Sequence, residues 1–158
     1  MELSLSGRTV LITGASSGFG AHFARLFVAE GARVVIGARR VDKLAALAAE
    51  LGDAALAVAM DVTDEASIIA AYDAAEAKFG TVDTVVANAG IAKAGRSTDL
   101  SAADIEAVVE TNFTGLYLTA REGAKRMIAA GFKDSERGRI VLLGSITAEL
   151  TGNGETAY

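Results

Sequence analysis

Gly14-Ala15-Ser16-Ser17-Gly18-Phe19-Gly20 is the first stretch of this 158-residue chain whose residue types and spacing could do chemistry. It joins the run Thr9-Val10-Leu11-Ile12, which reads as a short buried strand, to a segment of helical pattern. In that segment Phe23, Ala24, Leu26, Phe27 and Val28 recur at helical spacing and stop at Glu30-Gly31. Glycines let a backbone approach an anion closely, and the unbonded N–H groups of a helix's first turn point at it. Gly14, Ser16, Ser17, Gly18, Phe19 and Gly20 are therefore candidates for holding a phosphate. Their spacing is Gly-x-x-x-Gly-x-Gly, not the Gly-x-Gly-x-x-Gly of the dinucleotide fingerprint.

Other polar and small residues stand at the ends of further apolar runs. Arg39 and Arg40 follow Ala38. In dinucleotide folds an acid at this place binds ribose hydroxyls and favours NAD, whereas an arginine accommodates the 2′-phosphate of NADP. Ala38 stands where the acid would be, so NADP is the expected cofactor and NAD the alternative. Solvated loop charge is the other reading, and it weighs more on Arg40 than on Arg39. Asp61 and Val62 follow the third run, where Asp61 would face the adenine edge, while Asp64 reads as a helix N-cap. In Asn88-Ala89-Gly90 the small residues allow close backbone approach, and the Asn can brace neighbouring strands. Asn112 interrupts a good helical pattern, and its amide is costly to bury without partners. Ser145 follows the fifth run, and Tyr158 stands thirteen residues later. His22 has no second ligand at metal spacing, so it reads as structural and no metal site is expected. Tyr72 and Tyr117 read as packing residues with a polar end.

The elements that must position these residues alternate. Strands are expected at 9–12, 33–38, 55–60, 84–87 and 139–144, with helices between them at about 21–29, 41–51, 64–79 and 101–130. Ser101-x-x-Asp104 supplies a capping arrangement for the last. Strict βα alternation implies an α/β fold: a parallel sheet with helices on both faces and right-handed crossovers. Ligands of such sheets bind beyond the carboxyl ends of the strands, where the candidates lie.

Composition narrows the function classes. The chain is 51% hydrophobic, carries a net charge of −5 and has no cysteine. The length fits one domain. An acidic chain without a basic face is a poor partner for nucleic acid. No apolar run approaches the ~20 residues of a membrane helix, and residues 1–7 lack a signal-peptide pattern. A soluble cytoplasmic protein without disulfides or thiolate metal sites is the expectation.

Taken together, Thr13-Gly14-x-x-x-Gly18-x-Gly20, Asp61, Asn88-Ala89-Gly90, Asn112, Ser145 and Tyr158 resemble the short-chain dehydrogenase/reductase family, in order and in spacing. Ala87 replaces the first Asn of the family's Asn-Asn-Ala-Gly, and Phe19 replaces an aliphatic residue. The Tyr-x-x-x-Lys motif begins at Tyr158, where the sequence given stops. The resemblance implies a Rossmann-type fold, here its first five strands, as a dinucleotide-binding domain over 1–158 apparently lacking its C-terminal part. It implies hydride transfer between NADP(H) and an alcohol or carbonyl substrate, and a homo-oligomer when full length. Tyr158 would be the acid–base group, Ser145 would hydrogen-bond the substrate oxygen, and Asn112 would order a proton-relay water. The alternative is a truncated, non-catalytic dinucleotide-binding module. On either reading the 158 residues as written are expected to lack turnover.

Overall fold

Each expected strand forms in the computed structural model, which describes residues 4–96, 98–135 and 137–145. They are β1 (Thr9–Thr13), β2 (Arg33–Ala38), β3 (Ala55–Ala59), β4 (Thr84–Ala87) and β5 (Arg139–Leu142). All pair in parallel, in the order β3-β2-β1-β4-β5. β1 is central and fully buried, with Ile12 level with Ile36 of β2 and Val86 of β4. The chain runs outward through β2 and β3 and then returns to the other side of β1. The strand order therefore reverses between β1 and β4, and a crevice opens there beyond the strand ends.

Alternation along the strands sends side chains into two cores. Val10, Ile12, Val34 and Ile36 meet Ala24 of α1 (Gly18–Ala29) and Leu44 and Leu47 of α2 (Val41–Leu51). On the opposite face Leu11, Val35 and Val85 meet Ile68 and Tyr72 of α3 (Glu65–Phe79) and Met127 of α5 (Leu116–Ala129). Asp64 caps α3 by accepting a hydrogen bond from the Ala66 amide at 2.9 Å. Ser101 and Asp104 form a reciprocal capping box on α4 (Ala102–Val109). The Ser101 hydroxyl and the Lys93 ammonium hold the Asp104 carboxyl below the usual carboxylate range.

Four expectations are corrected. The single helix over 101–130 is three pieces, because a π-helical turn, Glu110–Gly115, separates α4 from α5. β3 stops one residue short of Met60, and β5 ends at Leu142 instead of Gly144. Tyr117 is 58% exposed and does not pack. On the sheet, Val85 and Val86 are fully covered, which leaves the exposed apolar surface to Ile140, Val141 and Leu142 of β5.

The lower edge of the sheet is tied by a buried carboxylate. Asp83, just before β4, is fully buried and lies 3.8 Å from Arg8 and 3.2 Å from Arg137. It also accepts from the Thr9 amide at 3.3 Å and the Thr84 hydroxyl at 2.9 Å. Arg8 in turn donates to the Arg137 carbonyl at 2.7 Å. Three strand starts are joined through one side chain, at the end of the sheet away from the crevice. Among the described residues no helix is long and apolar enough to cross a membrane.

Candidate functional site

A cleft of about 370 Å³ opens beyond the carboxyl ends of β1, β2, β3 and β4. Its walls combine Gly14, Ser16 and Ser17 after β1, Ala38, Arg39 and Arg40 at the end of β2, Met60, Asp61 and Val62 after β3, and Asn88, Ala89, Gly90 and Ile91 after β4. Thr111, from the π-helical turn, completes them.

The glycine turn is shaped by how closely it meets β4. Gly14 has φ +68°, and a Cβ there would lie 2.8 Å from the Ala89 Cα. A Cβ on Gly20 would lie 2.7 Å from the Gly14 oxygen and 2.8 Å from Asn88 Nδ2. Asn88 Nδ2 donates to the Thr13 carbonyl at 2.9 Å, and Thr13 Oγ1 accepts from the Asn88 and Ala89 amides at 3.0 and 2.9 Å. The turn and the Asn-Ala-Gly loop thus form one rigid floor. Above it, Ser17 stands at the N-cap of α1 without bonding the helix, and the first turn carries no acid. The positive end of the helix dipole is left uncompensated, which suits an anion. Gly18 and Phe19 lie outside the cleft walls. Phe19 is 72% exposed, with its ring stacked on Phe23. His22 is exposed, with its ring tilted against that of Phe23. No group of acids or histidines able to hold a metal occurs among the described residues.

Arg40 crosses toward the same turn. Its guanidinium donates to Ser16 Oγ at 2.9 and 3.1 Å and to Ser17 Oγ at 2.6 Å. A residue that reads from the sequence mostly as a loop charge therefore sits over the glycine turn. Asp61 faces the cleft from the other side, its Oδ1 accepting from the Thr63 amide at 3.0 Å and the Thr63 hydroxyl at 2.8 Å. Burial pushes its pKa up, but these two bonds and the nearby Arg39 charge outweigh that and hold it below the usual carboxylate range. Asp61 is thus an ionised acceptor at neutral pH.

Asn112 sits in the π-helical turn, and its side chain pairs with the Ile91 backbone. Oδ1 accepts from the Ile91 amide and Nδ2 donates to the Ile91 carbonyl, both at 2.8 Å. The amide therefore clamps the loop after β4 rather than reaching into the cleft. Gly115 closes the turn against Val62, where a Cβ would lie 2.7 Å from the Val62 oxygen. Ser145 lies three residues beyond β5, half-buried and outside the cleft walls. Tyr158 falls outside the described residues. Sequence reading missed Ile91 and Thr111 as parts of the site. Their only signal is adjacency, to Gly90 and to Asn112.

A family model described as short chain dehydrogenase matches residues 8–158. Momilactone A synthase of Oryza sativa subsp. japonica is 38% identical over 157 residues, covering 98% of this chain and 56% of that protein. A 3-ketoacyl-(acyl-carrier-protein) reductase from Brucella melitensis, solved with NADH, superposes with a TM-score of 0.93 at 38% identity, over 98% of this chain and 64% of that one. The closed form of a serine dehydrogenase, solved with NADP+, gives 0.86 at 30% identity, over 95% and 59%. The chain thus spans a little over half to under two thirds of the length of these relatives.

Proposed function

The chain belongs to the short chain dehydrogenase family, and from that premise we propose that it is the dinucleotide-binding part of an oxidoreductase that exchanges hydride between NADP(H) and a small alcohol or carbonyl substrate. The observation that carries this reading is the cleft itself, where a glycine turn, an uncapped helix start and two arginines converge. The fit to a dinucleotide is chemical. The α1 N-terminus with Gly14, Ser16, Ser17, Gly18, the Phe19 backbone and Gly20 would hold a pyrophosphate, and Arg39 and Arg40 a 2′-phosphate. Asp61, with Val62 beside it, would offer an acceptor to the adenine amino group, and Asn88, Ala89 and Gly90 would allow close backbone approach to the cofactor.

When bound, the nicotinamide gives or takes the hydride. Ser145 would donate a hydrogen bond to the substrate oxygen and stabilise the charge that develops there. Tyr158 would hold the proton passed to or from that oxygen. Asn112, its side chain paired with the Ile91 backbone, would order the water of a proton relay. The surroundings we expect are cytoplasmic, in line with the absence of cysteine.

Fluorescence titration with NADPH and NADH tests the cofactor assignment. NADPH is expected to bind the tighter. Arg39→Ala and Arg40→Ala should each lose charged hydrogen bonds worth about 1.5–3 kcal/mol, or roughly 10- to 150-fold in NADPH affinity, with NADH little changed. Equal affinity of the parent for both nucleotides would overturn the preference. In a form of the protein with turnover, Ser145→Ala should lower kcat about a hundredfold while NADPH affinity is kept. Unchanged turnover would mean that the serine is misassigned.

We also propose self-association through α4 and α5. Ile105, Val109, Phe113 and Tyr117 stand four residues apart, 43–70% exposed, in one row along this helical run. Glu106 and Glu110 neighbour one end of the row, and Arg121 and Lys125, which pair with Glu65 and Glu122 within the chain, the other. A second copy laid antiparallel would set acids against bases and cover the apolar centre. Phe113→Glu should shift the sedimentation coefficient to that of a monomer, and an unchanged coefficient would exclude this surface.

A further inference from the structure

The π-helical turn is the least regular part of the site, and it needs support from outside the cleft. A run with i→i+5 bonding is rare and persists only where its surroundings favour it. Here it carries Thr111 into the cleft wall, clamps Ile91 through Asn112 and seats Gly115 on Val62. An ordinary α-helical register would shift it by one residue, turning Asn112 about 100° round the axis and away from Ile91.

Two fully buried side chains hold the other end. Thr119 donates its hydroxyl to the Gly115 carbonyl at 2.7 Å, and Tyr72 of α3 donates its phenol to the Thr119 carbonyl at 2.8 Å. The phenol fits because position 123 is glycine: a Cβ there would lie 2.6 Å from the Tyr72 oxygen. Across the ring, Arg126 sits 5.5 Å from its centroid, fixed by Asp73 at 2.7 Å, Glu76 at 2.9 Å and Glu122 at 2.7 Å. Burial pushes the Tyr72 phenol up from its ordinary value, so it stays a neutral donor.

We propose that Tyr72 and Thr119 are positioning residues that fix the π-helical turn in register, and through it the Asn112–Ile91 clamp that shapes the cleft. Neither residue lines the cleft; they act through the contacts Tyr72 to Thr119, Thr119 to Gly115, and Asn112 to Ile91. The importance of this for turnover rests on the oxidoreductase reading, whereas the positional claim does not.

Amide hydrogen exchange of the whole chain tests it, with the Leu11 and Ile12 amides of β1 as the internal reference for global stability. Thr119→Val removes the hydroxyl at nearly constant size, and Tyr72→Phe keeps the ring beneath Arg126. Each should speed exchange at the Ile91 amide at least tenfold relative to Leu11 and Ile12, and Thr119→Ser should restore the parental ratio. Exchange that rises by one common factor at Ile91 and in β1 would overturn the proposal, because both residues would then be general core. So would an unchanged Ile91 rate in Tyr72→Phe, the variant that decides should Thr119→Val fail to fold. NADPH titration of the same samples keeps the two readings apart. A parent that binds no dinucleotide removes the cofactor assignment and leaves the exchange ratios to decide the register claim.

Discussion

Gly14→Ala is expected to remove dinucleotide binding, with no fluorescence change at NADPH concentrations that saturate the parent chain. Two penalties coincide at this residue. Its φ of +68° lies in the left-handed region, which costs an L-residue about 1–2 kcal/mol. The new Cβ would also lie 2.8 Å from the Ala89 Cα, a backbone atom held by hydrogen bonds to Thr13. Neither neighbour can yield without parting the turn from the loop after β4, and that junction is the cleft floor. We expect a loss above a hundredfold. Gly52→Ala is the matched control, because Gly52 follows α2 outside the cleft walls with φ +67° and an uncrowded Cβ position, so only the conformational penalty applies. Comparable losses in the two variants would show that close approach at Gly14 is not what matters.

Asp83→Ala should give the largest loss of stability. It leaves Arg8 and Arg137 without their shared carboxylate and the Thr9 amide without its acceptor. Breaking a buried pair costs about 3–5 kcal/mol, and because both arginines are partly exposed the lower end applies. For a chain of this size about 3 kcal/mol lowers the melting temperature by roughly 6–12 °C. Folded Asp83→Ala should keep the parental NADPH affinity, since the tie lies at the edge of the sheet opposite the cleft. A melting point within 2 °C of the parent would exclude this role.

The fold was legible because buried strands and amphipathic helices impose different periods, and the alternation left one architecture. The caps at Asp64 and Ser101 could be read because their partners lie two or three residues away. Most of the cleft could be read too, since Gly14, Ser16, Ser17, Arg39, Asp61, Val62, Asn88, Ala89 and Gly90 follow strand ends that the fold itself brings together. Contacts set by reach across space were not legible. Arg40 reads as loop charge until the turn it bonds is placed beside it. Asn112 marks a break in the helical pattern, but only Ile91, from another loop, explains a π-helical turn there. Asp83 looks like any acid before a strand, because its partners are 75 and 54 residues away along the chain.

The Asp83 tie also constrains the order in which a growing chain can mature on the ribosome. Arg8 precedes the carboxylate, so half of its counter-charge is present as soon as β1 and β4 meet. Arg137 is made 54 residues later, which at synthesis rates of about 5–20 residues per second is a wait of roughly 3–11 s. During that interval β4 is the open edge of the nascent sheet, and an acid that will be fully buried still faces water with only one arginine. Addition of β5 then delivers the second cation and the neighbouring strand together.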